Sequence, residues 1–297
     1  MARRLLYLLP LLCEITLSQP PKQQWVAHGD RVLIPIEVRD SNYRTIRGLQ
    51  KSDFRIVDEN HLVQDFTLSM EDAPASIVVL LDTSESMKSA WGEIPGVILS
   101  LFSILQADDE MTLLTFGQYV TRPVSGWTKD RDPMLAAVRE ASPHGCTALY
   151  DGISEAFRVA RTGTHDKRVV IVVTDSGDSC SRKQAKDFLR EARETRSFLY
   201  VLSRYAFLED QAYYHQLKLR EGSEWTGGDF LEYSSAKQIP ALVDRINFRD
   251  RYIASFPPHR SDGTPLLRRV SVRLAGKSSH HARLRWRHAY AVSAERR

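Results

Sequence analysis

The stretch IVVLLDTSESM, residues 77–87, decides the fold. Five apolar residues run without a break and stop at Asp82, and Ser84 and Ser86 follow at alternate positions. An unbroken apolar run of this length is the pattern of a strand covered on both faces, as in a parallel sheet flanked by helices. RVVIVVTD, residues 168–175, repeats the pattern and again ends on an acid, Asp175. In open α/β sheets ligands bind outside the carboxyl ends of the strands. Both acids therefore fall where a ligand would sit.

Working outward, helical stretches are expected over about 88–106, 132–141, 149–162, 182–195, 208–221 and 235–250. Between them SFLYVLS (197–203) and GDFLEYS (228–234) read as strands, and 111–117 with 119–125 as a hairpin. Strands alternating with helices imply a doubly wound α/β unit: a mostly parallel sheet with helices on both faces. The flanks differ. VLIPIEVRD (32–40) alternates as a half-buried strand does, and FRIVDEN (54–60) and LVQDFTL (62–68) read as two more strands around a Glu59-Asn60 turn. YIASF (252–256), RRVSVRLA (268–275) and ARLRWRHAYAV (282–292) return to β character. Either flank alone would leave open sheet edges. The expectation is a small β-sandwich built from 25–72 and 251–292, with the α/β unit (76–250) inserted between its halves.

Apolar residues make up 42% of the chain and charged residues 26%, so a packed core can form and wholesale disorder is excluded. The start, MARRLLYLLPLLCEITLSQPP, fits a secretory signal over residues 1–18: Arg3 and Arg4, then a short apolar run, then small residues Thr16 and Ser18. A disordered or anchored N-terminus is the competing reading. Leu12 before Cys13 argues against a lipoprotein. The expected location is secreted, periplasmic or the cell envelope, with no transmembrane segment after the signal is removed. The net charge of +4 becomes +3 without Arg3, Arg4 and Glu14, too mild to argue for nucleic acid. Basic residues do crowd the C-terminal part, at Arg268, Arg269, Arg273, Lys277, Arg283, Arg285 and Arg287. There they form either a solvated strand face or a docking surface for acidic partners.

Asp82, Ser84 and Ser86 supply a carboxylate and two hydroxyls from one turn, and Asp175 supplies a second carboxylate from another strand end. A hard divalent cation takes such oxygen ligands, often one or two carboxylates with hydroxyls and waters. The competing reading of Asp82, an acid at a strand end followed by Ser, is a helix N-cap. The D-x-S-x-S at 82–86, GCTALYDG (145–152) and VTDSGDS (173–179) together resemble a von Willebrand factor A domain. In that family these three segments form the metal-ion-dependent adhesion site. The resemblance, over about 76–250, implies metal ligands Asp82, Ser84, Ser86, Thr147 and Asp175. The flanking β segments are similar to a secreted bacterial subgroup of these proteins.

The resemblance further implies a protein-binding, adhesion-type module. Its divalent cation, with Mg²⁺ expected and Mn²⁺ or Ca²⁺ as alternatives, accepts an Asp or Glu carboxylate from a protein partner. The alternatives are a structural component of an envelope assembly whose metal stabilises the fold, and a metal-dependent phosphatase-like enzyme. Haloacid-dehalogenase-like phosphatases carry a second Asp two residues after the first, where this chain has Ser84. Neither G-x-x-x-x-G-K-[ST] nor G-x-S-x-G occurs. No catalytic residue is assigned, and the chain is read as a non-enzyme. Of the cysteines left after the signal, Cys146 precedes Thr147 and Cys180 lies five residues past Asp175. They are either a disulfide tying two ligand loops together or two unpaired thiols.

Overall fold

The computed structural model describes residues 31–204, 210–246, 248–258, 267–276 and 282–291. The expected signal and Lys277 lie outside them.

The chain enters through β1 (Val32–Arg39), β2 (Phe54–Asp58), β3 (His61–Val63) and β4 (Thr67–Glu71), then runs into β5 (Ala75–Asp82). Next come α1 (Ile94–Leu101), β6 (Glu110–Phe116), β7 (Val120–Thr121), α2 (Asp132–Glu140) and α3 (Leu149–Ala160). β8 (Lys167–Thr174), α4 (Ala185–Glu194), β9 (Ser197–Arg204), α5 (Asp210–Thr226), β10 (Asp229–Tyr233) and α6 (Ile239–Val243) complete the central unit. β11 (Arg251–Phe256), β12 (Leu267–Leu274), β13 (Arg283–Trp286) and β14 (Ala289–Ala291) follow.

The central sheet has the order β10-β9-β8-β5-β6-β7, parallel throughout except for the edge strand β7. Every residue of β5 is buried. Side chains alternate across a strand. Ile77, Val79 and Leu81 pack with α1, α2 and α6, while Val78 and Leu80 pack with α3, α4 and α5. Two covered faces are why the run is apolar without interruption, and the fold is α/β and doubly wound.

The flanking strands form two four-stranded antiparallel sheets, β13-β1-β11-β4 and β14-β12-β2-β3. Each contains strands from both ends of the chain, and the two share one core including Ile34, Ile36, Ile56, Tyr252, Phe256, Val272 and Tyr290. β1 departs from the half-buried expectation, because seven of its eight residues are buried. Its second face lies against the central unit: Leu33 packs into the core around β5, and Arg39 donates to the Asp244 carbonyl.

Other departures have local causes. The expected helix over 88–106 begins as a 3₁₀ segment, Glu85–Glu93, and turns α-helical at Ile94. Gly92, Pro95 and Gly96 weaken helix propensity, and Pro95 fits only the first turn. The helix expected over 235–250 shrinks to a 3₁₀ turn, Ala236–Gln238, and five residues of α6. The chain must leave it to bury Ile246 and Phe248 before β11. Pro123, which has no N–H to donate, follows the truncated β7. The 62–68 stretch divides between β3 and β4, and 282–292 between β13 and β14, with each half pairing in a different sheet.

Candidate metal centre

Asp82 ends β5 at the carboxyl edge of the sheet and is fully buried. Its Oδ1 accepts the Ser84 N–H at 2.9 Å, and its Oδ2 accepts the Thr174 hydroxyl at 2.6 Å. Ser84 precedes the 3₁₀ segment in the capping position, yet its side chain caps nothing. Its Oγ lies 3.2 Å from the Oγ of exposed Ser86. Asp175 follows β8, half-buried, at the end of the strand beside β5.

Thr147 reaches the cluster through the backbone. The Thr83 and Gly145 carbonyls accept N–H groups of His144 and Glu85 at 2.8 and 3.0 Å, which seats the Thr147 loop on the D-x-S-x-S turn. The Thr147 carbonyl accepts N–H groups of Ser179 and Cys180 at 2.8 and 3.1 Å, and its own N–H donates to Ser179 Oγ. Cys146 and Cys180 are joined in a disulfide with Cα atoms 6.0 Å apart, a covalent link between the same two loops. Thr147 is buried as a residue, and its hydroxyl makes no hydrogen bond among the described residues.

Burial, and then the facing charge of Asp175, push the Asp82 carboxyl up to about 7, against the hydrogen bonds from Ser84 and Thr174. Among the described residues no basic side chain forms an ion pair with either carboxylate. A buried carboxylate facing a second one, without a cation, is the electrostatic situation a bound divalent ion would relieve. The donor set of two carboxylates and three hydroxyls fits a hard ion. No group of three or more His, Cys, Asp or Glu side chains is placed to hold a metal among the described residues, so a thiolate–imidazole centre is not built there.

Thr174 and Ser176, which support this centre, carry no separate signal in the sequence. Thr174 holds Asp82 and also accepts the Ser176 N–H. Ser176 adopts φ 71°, uncommon for a residue with a side chain, and its buried hydroxyl lies 2.6 Å from that of Ser203. The Asp178 carboxylate accepts the Leu149 N–H and so caps α3. α4 is capped by a Gln184–Asp187 box. Asp151 accepts the N–H groups of Arg182 and Lys183 and fastens the loop before α4 onto α3.

The family profile of the von Willebrand factor type A domain matches residues 77–178, which contain all five candidate ligands. Among solved structures, a von Willebrand factor type A protein from Catenulispora acidiphila is 12% identical. It covers 90% of this chain and 74% of that one, at a TM-score of 0.52. An aerotolerance-related membrane protein from Bacteroides fragilis is 15% identical, covering 58% of this chain and 98% of that one, at 0.46. Proximal thread matrix protein 1 from the mussel byssus, described with a zinc-occupied MIDAS motif, is 14% identical. It covers 66% of this chain and 50% of that one, at 0.48. At these identities the likeness is one of fold. No curated protein matches the chain.

Proposed function

From a chain whose residues 77–178 are a von Willebrand factor type A domain, we propose a protein-interaction module that works through a divalent cation. The observation that carries the reading is Asp82, fully buried at the carboxyl end of β5 and facing Asp175 with no basic partner among the described residues. Asp82, Ser84, Ser86, Thr147 and Asp175 are the residues that would hold the ion. Mg²⁺ is the expected species, since all five donors are oxygens. The ion would supply a Lewis-acidic charge at the protein surface, open to an Asp or Glu carboxylate of a partner. The chain's own part is to keep the donors preorganised. Thr174 and the Ser84 N–H orient Asp82, and the disulfide holds the Thr147 loop to the loop after Asp175.

The proposed organisation has a signal over 1–18, the interaction domain over 76–250 and a supporting β unit from 25–72 and 251–292. Secretion or residence in the cell envelope agrees with a disulfide. No helix of the described residues is long and apolar enough to cross a membrane. The test is the melting temperature with chelator and then with Mg²⁺, Mn²⁺ or Ca²⁺, for wild type and Asp82→Ala. Metal at a hundred times its dissociation constant adds about 2.7 kcal/mol to the folded state. A rise in wild type that is absent in the variant supports the reading, and no rise in wild type with any of the three ions overturns it.

A further inference from the structure

A groove of about 940 Å³ opens beside the candidate metal centre and runs along the crevice between α3 and α4. Ala148 and Cys180, neighbours of Thr147 and of the disulfide, line its near end, and Glu194, Thr195 and Arg196 line its far end. The groove is thus continuous with the loops that carry the metal ligands.

Its charges are unevenly engaged. Glu155 is held by both Nε and Nη2 of Arg158, Glu191 by Lys183 and the Ser154 hydroxyl, and Asp151 by two backbone N–H groups. Arg161 and Arg196, also in the lining, pair with no carboxylate among the described residues. Arg168 stands behind them. Its buried Nε has no hydrogen-bond partner among the described residues, and burial together with the charges of Arg196 and Arg161 lowers its pKa against the pull of Asp166. Three guanidiniums therefore gather at the far end, opposed by Asp166 and Glu194. An exposed cluster of this kind attracts an anion that fits planar, two-pronged hydrogen bonding, as a carboxylate does.

The length of the groove sets the spacing. From Leu149, two residues after Thr147, to Ala160, next to Arg161, α3 rises about 17 Å, which an extended chain covers in about five residues. We propose that the groove receives an extended acidic segment of a partner polypeptide. One carboxylate lies at the metal centre and a second, about five residues along, lies between Arg161 and Arg196. This rests on the metal-dependent binding reading above and adds to it the form of the partner: two acids at a fixed separation.

The test uses two fluorescein-labelled peptides with Gly-Ser spacers, followed by fluorescence anisotropy in Mg²⁺. One has Asp at its first position and Glu at its sixth, and the other has Gln at the sixth. Wild type should bind the diacid at least fivefold more tightly. Arg161→Gln/Arg196→Gln should abolish that preference while its melting temperature still rises with Mg²⁺ as in wild type. If the wild-type melting temperature rises with Mg²⁺ but the two peptides bind equally, the groove proposal alone fails. It also fails if the double variant keeps the preference. Absence of the rise in wild type overturns the metal reading and this inference with it. A sulfated hexasaccharide bound through the two arginines, with no preference between peptides, would assign the groove to an anionic glycan and overturn the polypeptide reading.

Discussion

Replacing both Cys146 and Cys180 with serine tests how the centre is held. The bond closes a loop with a sequence separation of 34. Chain entropy then makes its removal cost about 4 kcal/mol at 25 °C through a less constrained unfolded chain. At about 2.1 cal/mol/K of unfolding entropy per residue, that lowers the melting temperature by about 6 °C. The native loops remain joined by the bonds from Ser179 and Cys180 to the Thr147 carbonyl, so the folded state should be retained. The loss should appear in urea unfolding followed by tryptophan fluorescence, with a steeper denaturant dependence, because the unfolded chain exposes more surface. Wild type in a dithiol reductant should fall to the variant's stability, and the variant should ignore the reductant. A loss below about 1 kcal/mol, or a variant that still responds to reductant, would refute the claim that this bond constrains the chain.

Three further outcomes follow from buried groups. Arg268 and Asp58 form a buried pair at 2.9 Å, and Tyr290 also donates to Asp58, so Arg268→Ala removes the cation facing a buried carboxylate and should cost about 3–5 kcal/mol in denaturant unfolding. A Cβ on Gly228 would sit 1.8 Å from the Leu199 carbonyl oxygen, and Gly228→Ala should cost about 3 kcal/mol or more, read as a lower urea midpoint. Burial raises Glu71 from 4.5 to about 7, against the attraction of Lys167, and neither carboxyl oxygen has a hydrogen-bond partner among the described residues. A carboxyl raised on folding contributes its stability fully below 4.5 and loses it as pH climbs through about 7. Lys167, lowered to about 8, acts only in the window above that. The melting temperature of wild type should therefore fall between pH 5 and 7.5 more than that of Glu71→Gln, and equal slopes would remove Glu71 as the cause.

The parts of this protein legible in the sequence are those set by one-dimensional pattern. The apolar runs ending at Asp82 and Asp175 placed two neighbouring parallel strands, because burial on both faces leaves no room for polar residues. The alternation of Val270 and Val272 with Arg269, Ser271 and Arg273 is likewise seen as buried against exposed positions in β12. What depends on a distant partner was not legible. Nothing near Asp178 says that its carboxylate caps a helix starting 29 residues earlier. Nothing in LVQDFTL or ARLRWRHAYAV says that each crosses from one sheet to the other, since both halves keep β character and the break depends on which edge is free.

The basic tail shows the same limit and explains how the two units cooperate. Read as a strand face, its arginines belong in solvent or against an acidic partner. Several of them find their partners inside the molecule. Arg285 bonds to Glu37 of β1 and pairs with Asp229 of β10. Arg287, at the step between β13 and β14, is buried and donates to the carbonyls of Arg193 and Thr195 at the end of α4. A cation there meets the negative end of the helix dipole and satisfies carbonyls left open by the last turn. Arg251, fully buried in β11, reaches the Gly227 carbonyl and the Tyr200 hydroxyl at the base of the central sheet. The β unit thus grips α4 and strands β9 and β10 at the end opposite the candidate metal centre. α4 is one wall of the arginine-lined groove, and the loop before it is fixed by Asp151 and by the disulfide at Cys180. One end of that wall is held by the flanking strands and the other by the loops of the centre. This placement gives the split C-terminal strand a reason to be basic that exposure to solvent would not supply.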